Sequence, residues 1–179
     1  MKEQLELFLD ELEVDALLVR PEINYNVRKL CVCVYRGHPK GCPNYNNCDR
    51  CPPKAPYFDH YFDTSFPVWA IVQEFDLGAH SRRMLELHPK WSYRQSVCVL
   101  YWQAGVRKIL REKCERHIES LTTQKTAWAK YNYEYEMTPE AMGVQVFKTL
   151  AKYGVILERH QPLGIVRLVA LVAKVRDIG

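Results

Sequence analysis

Apolar and polar positions change period several times along the chain, and each change marks an element. Over residues 2–12 the apolar positions Leu5, Leu7, Phe8 and Leu12 sit among acids in a spacing that predicts a helix. Ala16 to Val19 reads as a short strand ended by Pro21. From Lys29 to Arg36 the pattern alternates. Leu30, Val32 and Val34 would share one face of a strand, and Cys31, Cys33 and Tyr35 the other. Such a strand would pack one face on the core and point two thiols together at whatever lies outside. Residues 37–56 hold glycines, asparagines and five prolines, which exclude a regular element. A long structureless loop is uncommon inside a compact domain, and a bound metal would organise it.

Pro67 to Phe75 is rich in β-branched and aromatic residues and predicts a strand. Gly78 to Leu87 predicts a short helix. Residues 92–120 read as the longest helix, apolar all round through "VCVLYW" and then carrying Val106, Leu110, Cys114 and Ile118 at four-residue steps. Residues 121–137, with Tyr131, Tyr133 and Tyr135 alternating, suit an exposed strand or a connector. Thr138, Pro139 and Gly154 are fitting N-cap, first residue and C-cap of a further helix, with Met142, Val146 and Leu150 as its apolar line. Gly164 to Val175 is apolar on both faces, hence a central strand. The mixture predicts an α+β fold over residues 1–179, a central β-sheet covered by helices in a single domain, with a cysteine-rich metal-binding loop over residues 31–56.

Composition narrows the picture. At 179 residues, 47% hydrophobic and 26% charged, the chain buries a core without covalent staples. No apolar run is long enough to span a bilayer, so no membrane association is expected. The acidic start lacks the pattern of a secretory signal, which points to the cytoplasm. A reducing compartment and seven cysteines, an odd number, argue against a disulfide framework. The formal net charge of +4 permits contact with nucleic acid without demanding it. Arg82, Arg83, Lys90, Arg94, Arg107, Lys108, Arg111 and Arg116 are interleaved with Trp91, Tyr93, Tyr101 and Trp102, a pattern shared by single-strand binders and by solvated helix faces over core aromatics.

Candidate chemistry is concentrated in the cysteines. Cys31, Cys33, Cys42, Cys48 and Cys51 are spaced C-x-C-x8-C-x5-C-x2-C. A CxxC turn brings two sulfurs within reach of one ion. Soft thiolates suit Zn²⁺ or an iron–sulfur cluster and not calcium or magnesium. Proline after both Cys42 and Cys51, with Tyr45, Tyr57 and Phe58 nearby, leans towards a cluster. Zinc and a metal-free loop stay open. Cys31 also suits a small core position, Cys98 and Cys114 read as packing residues, and His38 and His60 as surface histidines flanking the loop. Pro52, Pro53 and Pro56 disfavour a dithiol redox site, which needs a helix opening at the pair.

"GCPNYNNCDRCPP" resembles the C-P-x-Y-x5-C-P-P hallmark of a widespread family of bacterial and archaeal predicted metal-binding proteins. "MTPEAMGVQVFKTLAKYGV" is similar to that family's closing segment, S-M-E-A-x-G-x-D-V followed by a helix and a glycine. The resemblance covers residues 28–175 and implies metal-site cysteines at Cys33, Cys42 and Cys51. Three departures stand out. Residues 115–137 lack the second cysteine group common in the family, Cys48 stands where it usually has an aromatic residue, and Gln145 replaces its acid. The resemblance implies a metal protein and no particular reaction. Together these readings predict a small cytoplasmic protein holding an iron–sulfur cluster, 4Fe–4S in type, on Cys33, Cys42, Cys48 and Cys51, with Cys31 as a substitute. It would act in electron or sulfur transfer with a partner enzyme. The alternative is a zinc-stabilised module binding RNA or a partner protein.

Overall fold

The structure, a computed structural model, describes residues 16–34, 38–123, 129–158 and 164–177. The helix expected over residues 2–12 lies outside them. The fold is α+β. Four strands, β1 (Ala16–Val19), β2 (Val68–Asp76), β3 (Tyr133–Glu136) and β4 (Ile165–Lys174), form one antiparallel sheet in the order β1-β2-β4-β3. The helices are α1 (Phe58–Tyr61), α2 (Leu77–Leu87), α3 (Tyr93–Ser96), α4 (Gln103–Thr123) and α5 (Val146–Ala151), with 3-10 helices at Tyr25–Val32, Val99–Tyr101 and Pro139–Met142. Among the described residues no helix is long and apolar enough to cross a membrane.

Side-chain alternation along the two central strands divides the core. Trp69, Ile71, Ala170 and Val172 face Leu110, Cys114 and Leu121 of α4. Val68, Ala70, Leu171 and Ala173 face the other way, onto Phe58, Phe62, Met142, Val144, Val146 and Leu150. The register that sets Trp69 against Val172 and Ala70 against Leu171 keeps the two faces from mixing. β4 is central, as its two apolar faces predict.

Two expected helices are broken. The stretch 92–120 divides into α3, a 3-10 turn and α4. Ser92 and Gln95 form a reciprocal capping box that opens α3, and Cys98 is extended. "VCVLYW" is therefore not a buried helix: Leu100 is 82% exposed, while Trp102 turns inward to stack on Phe75 at 5.0 Å and Val97 packs beside it. The stretch 138–154 is split at Gly143, whose left-handed backbone (φ 91°) ends the 3-10 helix. Thr138 makes no side-chain cap; its N–H and hydroxyl donate to Glu136 at 2.6 and 2.7 Å. Met142, Val146 and Leu150 are nonetheless all buried. Gly154 closes α5 as expected, in a Schellman arrangement in which Val155 N–H donates to Leu150 O at 3.1 Å and Gly154 N–H to Ala151 O at 3.2 Å.

One polar residue sits deep under α4. His117 is fully buried with its ring edge-on to Trp69 at 5.1 Å, and neither imidazole nitrogen has a hydrogen-bond partner. Burial pushes its pKa down to about 4, since an imidazolium there has nothing to compensate its lost hydration. The unfolded chain takes up this proton as pH falls through about 6.5, whereas the folded chain does so only near 4. Stability is therefore lost as pH falls through that window, by about 3 kcal/mol in all. Urea unfolding between pH 7 and 4.5 should show this slope in the native chain, and His117→Phe should flatten it.

Candidate metal centre

The cysteine-rich region begins on a helix and not a strand. Asn24 accepts from Asn26 N–H at 3.1 Å and opens the 3-10 helix Tyr25–Val32. The expected strand over Lys29–Arg36 is thereby overturned; residues 35–37 of it lie outside the described residues. Leu30, Val32 and Val34, expected in the core, are 66%, 50% and 72% exposed. In a 3-10 helix residues three apart eclipse one another. The face that packs is thus Tyr25, Arg28 and Cys31, of which only Cys31 falls in the alternating stretch. Tyr25 lies on Tyr57 with ring centroids 4.1 Å apart, and Arg28 covers the Tyr57 ring at 4.4 Å. The Arg28 guanidinium also donates to the carbonyls of Pro53 at 3.1 Å and Ala55 at 2.8 Å, tying the helix to the far end of the loop.

The loop that follows has its own hydrogen bonds. Cys42 N–H donates to Cys31 O at 2.7 Å, Tyr45 N–H to Cys42 O at 3.1 Å, Asn46 N–H to Pro52 O at 2.8 Å and Cys51 N–H to Cys48 O at 3.0 Å. Successive turns, and not a metal alone, therefore account for its order. Gly41 permits the closest approach. Its φ is 82°, and a Cβ there would stand 2.6 Å from Cys31 O and 2.9 Å from Val32 Cα. The loop ends in Ala55, Phe58 and Phe62, all buried in the core against β2 and β4. The 3-10 helix is held from behind by Pro139–Met142 and its exit. Asn24 N–H donates to Gly143 O at 2.8 Å, and a Cβ on Gly143 would meet the Tyr25 ring at 3.2 Å. The closing segment thus packs against the 3-10 helix that precedes the cysteine-rich loop.

Within this arrangement Cys48, Cys42 and Cys31 all act on the Cys51 thiol. Burial pushes the Cys51 thiol up to about 11, helped by the charge of Cys48 and a hydrogen bond with it, and then by Cys42 and Cys31. Burial likewise raises Cys31, followed by Cys42, with Arg28 opposing and Glu140 and Cys33 adding. Cys33 is exposed, its Sγ 3.4 Å from Lys29 O, and belongs to this set only through Cys31. All seven cysteines are free thiols. Among the described residues no group of three or more His, Cys, Asp or Glu side chains is arranged to hold a metal ion. The donor chemistry of the loop's cysteines fits a soft thiophilic metal, and a site of this kind closes when metal displaces the thiol protons.

The remaining candidates lie elsewhere or do other work. His60 is exposed and packs edge-on to Tyr25 and Tyr57 at 6.0 and 5.3 Å, while the backbone carbonyl of His38 accepts from Gly41 N–H at 3.1 Å. Cys98 starts the 3-10 turn Val99–Tyr101. Cys114 is fully buried under α4, and burial pushes it up to about 12. Asp59 accepts from the Tyr25 hydroxyl at 2.7 Å, and its other oxygen is buried without a partner. Of the basic and aromatic surface, Trp102 belongs to the core, while Trp91 stacks between His88 at 4.2 Å and Tyr101 at 4.8 Å. Sequence reading passed over Tyr25, Arg28 and Gly41. Their signal was the three-residue step from Tyr25 through Arg28 to Cys31 and the glycine before Cys42.

No family profile, curated protein or solved structure matches the chain.

Gly41→Ala should destabilise the fold by about 1–3 kcal/mol, because the backbone conformation and the Cys31 carbonyl both oppose a Cβ. Thermal unfolding should register the loss, and timed alkylation with mass spectrometry should show Cys42 and Cys51 reacting faster. Gly105→Ala, in α4 with nothing within 4 Å of the added carbon, should raise stability slightly and leave the alkylation rates unchanged.

Proposed function

We propose that this chain is a small cytoplasmic metalloprotein whose loop holds an iron–sulfur cluster, 4Fe–4S in type, and which serves a partner enzyme in electron or sulfur transfer. The observation that carries the reading is that the cysteine-bearing turns are hydrogen-bonded to one another, Cys42 N–H to the Cys31 carbonyl and Cys51 N–H to the Cys48 carbonyl, with the Cys51 thiol held up by burial and by Cys48, Cys42 and Cys31 nearby. Soft sulfurs gathered along one loop serve thiolate-loving metals. Cys31 is the better fourth ligand, because Arg28 and the Cys42 hydrogen bond position it beside the others, while Cys33 points out to Lys29 O.

Iron–sulfur chemistry is favoured over zinc by the surroundings. Cys42 and Cys51 precede prolines, Pro52 is buried, and Tyr25 and Tyr57 stack beside the loop. Apolar walls and few backbone donors tune a cluster by limiting water. A bound cluster would supply one-electron transfer or a sulfur atom. The chain's own residues position the thiols: Gly41 admits the close approach, Arg28 fastens the helix to the loop's end, and Phe58 and Phe62 hold that end in the core. The exposed Leu30, Val32 and Val34 beside the thiols support docking of a protein partner there, since apolar side chains beside a site favour contact with another protein.

Protein purified without oxygen should be brown, contain iron and acid-labile sulfide, and lose its visible absorption on reduction. Cys31→Ser, Cys42→Ser, Cys48→Ser and Cys51→Ser should each lower iron content severalfold, whereas Cys33→Ser and Cys98→Ser should retain it. Colourless protein with stoichiometric zinc would replace the cluster by a structural zinc and favour the binding-module reading.

A further inference from the structure

Beside the thiols runs an open groove that neither strand alternation nor cysteine spacing anticipated. It encloses about 520 Å³ and is walled by Tyr25, Tyr45, Tyr57, Pro52, Pro53 and Pro56. That volume falls within the range of small-ligand sites. Its rim carries Arg28, Lys29, Lys54 and His60, and no carboxylate is among its lining residues. Of the acids around it, Asp59 accepts from the Tyr25 hydroxyl through one oxygen, and Asp49 pairs with Lys54 at 3.2 Å in an exposed contact. A pair so exposed is weak and yields to a better anion. Lys29 is exposed at the mouth, and Tyr25 and Tyr45 present 41% and 37% of their surfaces to solvent.

We propose that this groove binds a nucleoside monophosphate, its base against the tyrosine and proline wall and its phosphate among Lys29, Lys54 and Arg28. Aromatic and proline surfaces favour a flat ring, because stacking needs only a π-face. Several cations converging on one rim favour a doubly charged phosphate over a singly charged carboxylate. Arg28 is already held by two carbonyls and by Tyr57, so its guanidinium plane is ordered before a ligand arrives. Pro52 and Pro53 follow Cys51 directly, so the nucleotide would lie against the thiol loop and within its electrostatic reach.

The proposal does not rest on the identity of the metal, and metal content is measured apart from it. Isothermal titration of the full chain compares adenosine 5′-monophosphate, adenosine and inorganic phosphate. The nucleotide should bind at least about tenfold tighter than either part, and the double variant Lys29→Glu with Lys54→Glu should weaken it by at least about tenfold. Tyr45→Ala should weaken it severalfold, with thermal unfolding confirming that both variants fold. Equal binding of phosphate and nucleotide, equal binding of adenosine and nucleotide, indifference to the charge reversal, or no nucleotide binding at about 1 mM each overturns the proposal.

Discussion

Strand β4 has no solvent-facing side from Ala170 to Lys174, and the rest of the fold answers to that constraint. A strand buried on both faces must pair on both edges and be covered above and below. β2 and β3 supply the edges. α4 covers one face with Leu110, Cys114 and Leu121. The other face is covered by short pieces: α1, α5 and the segment from Met142 to Val144. Burying a phenylalanine contributes about 2–3 kcal/mol, so Phe58 and Phe62 fasten their segment firmly. That segment is the end of the cysteine-rich loop. The thiols are thus held by the same packing that closes the sheet.

Within the loop a second constraint operates at shorter range. Three residues per turn in the first 3-10 helix stack Tyr25, Arg28 and Cys31 over one another. Each meets a different part of the loop: Tyr57, the carbonyls after Pro52, and the Cys42 N–H. Burial and neighbouring thiols there favour the protonated form of Cys31 and Cys51, and a groove with a basic rim and an aromatic wall lies alongside.

Legibility followed the range of the forces involved. β2, β4 and α2 were readable because their burial repeats within a few residues. Trp69 and Ile71 face one core and Val68 and Ala70 the other, in step with the pleat. The alternation from Leu30 to Val34 has the same form and a different outcome, because no strand lies beside it and those side chains stay in water. "VCVLYW" misleads for a related reason. Its hydrophobicity is real, but the Ser92–Gln95 capping box and the extended Cys98 rotate most of it outward. The S-x-x-Q pattern was present in the sequence and marked a helix start just ahead of that stretch.

By itself the sequence determined the α+β class, the identity of β4 as a central strand and the concentration of thiols into one stretch. Those properties reside in composition and in periods of two to four residues, which backbone geometry converts directly into faces. Tertiary structure decided how the thiol-bearing segments sit: Cys42 N–H reaches the Cys31 carbonyl, and Arg28, Gly41 and Gly143 bring distant segments into contact. It also decided that the loop has a groove beside it. Both outcomes depend on contacts between residues far apart in the chain, such as Asn24 with Gly143, and local pattern carries no record of such contacts.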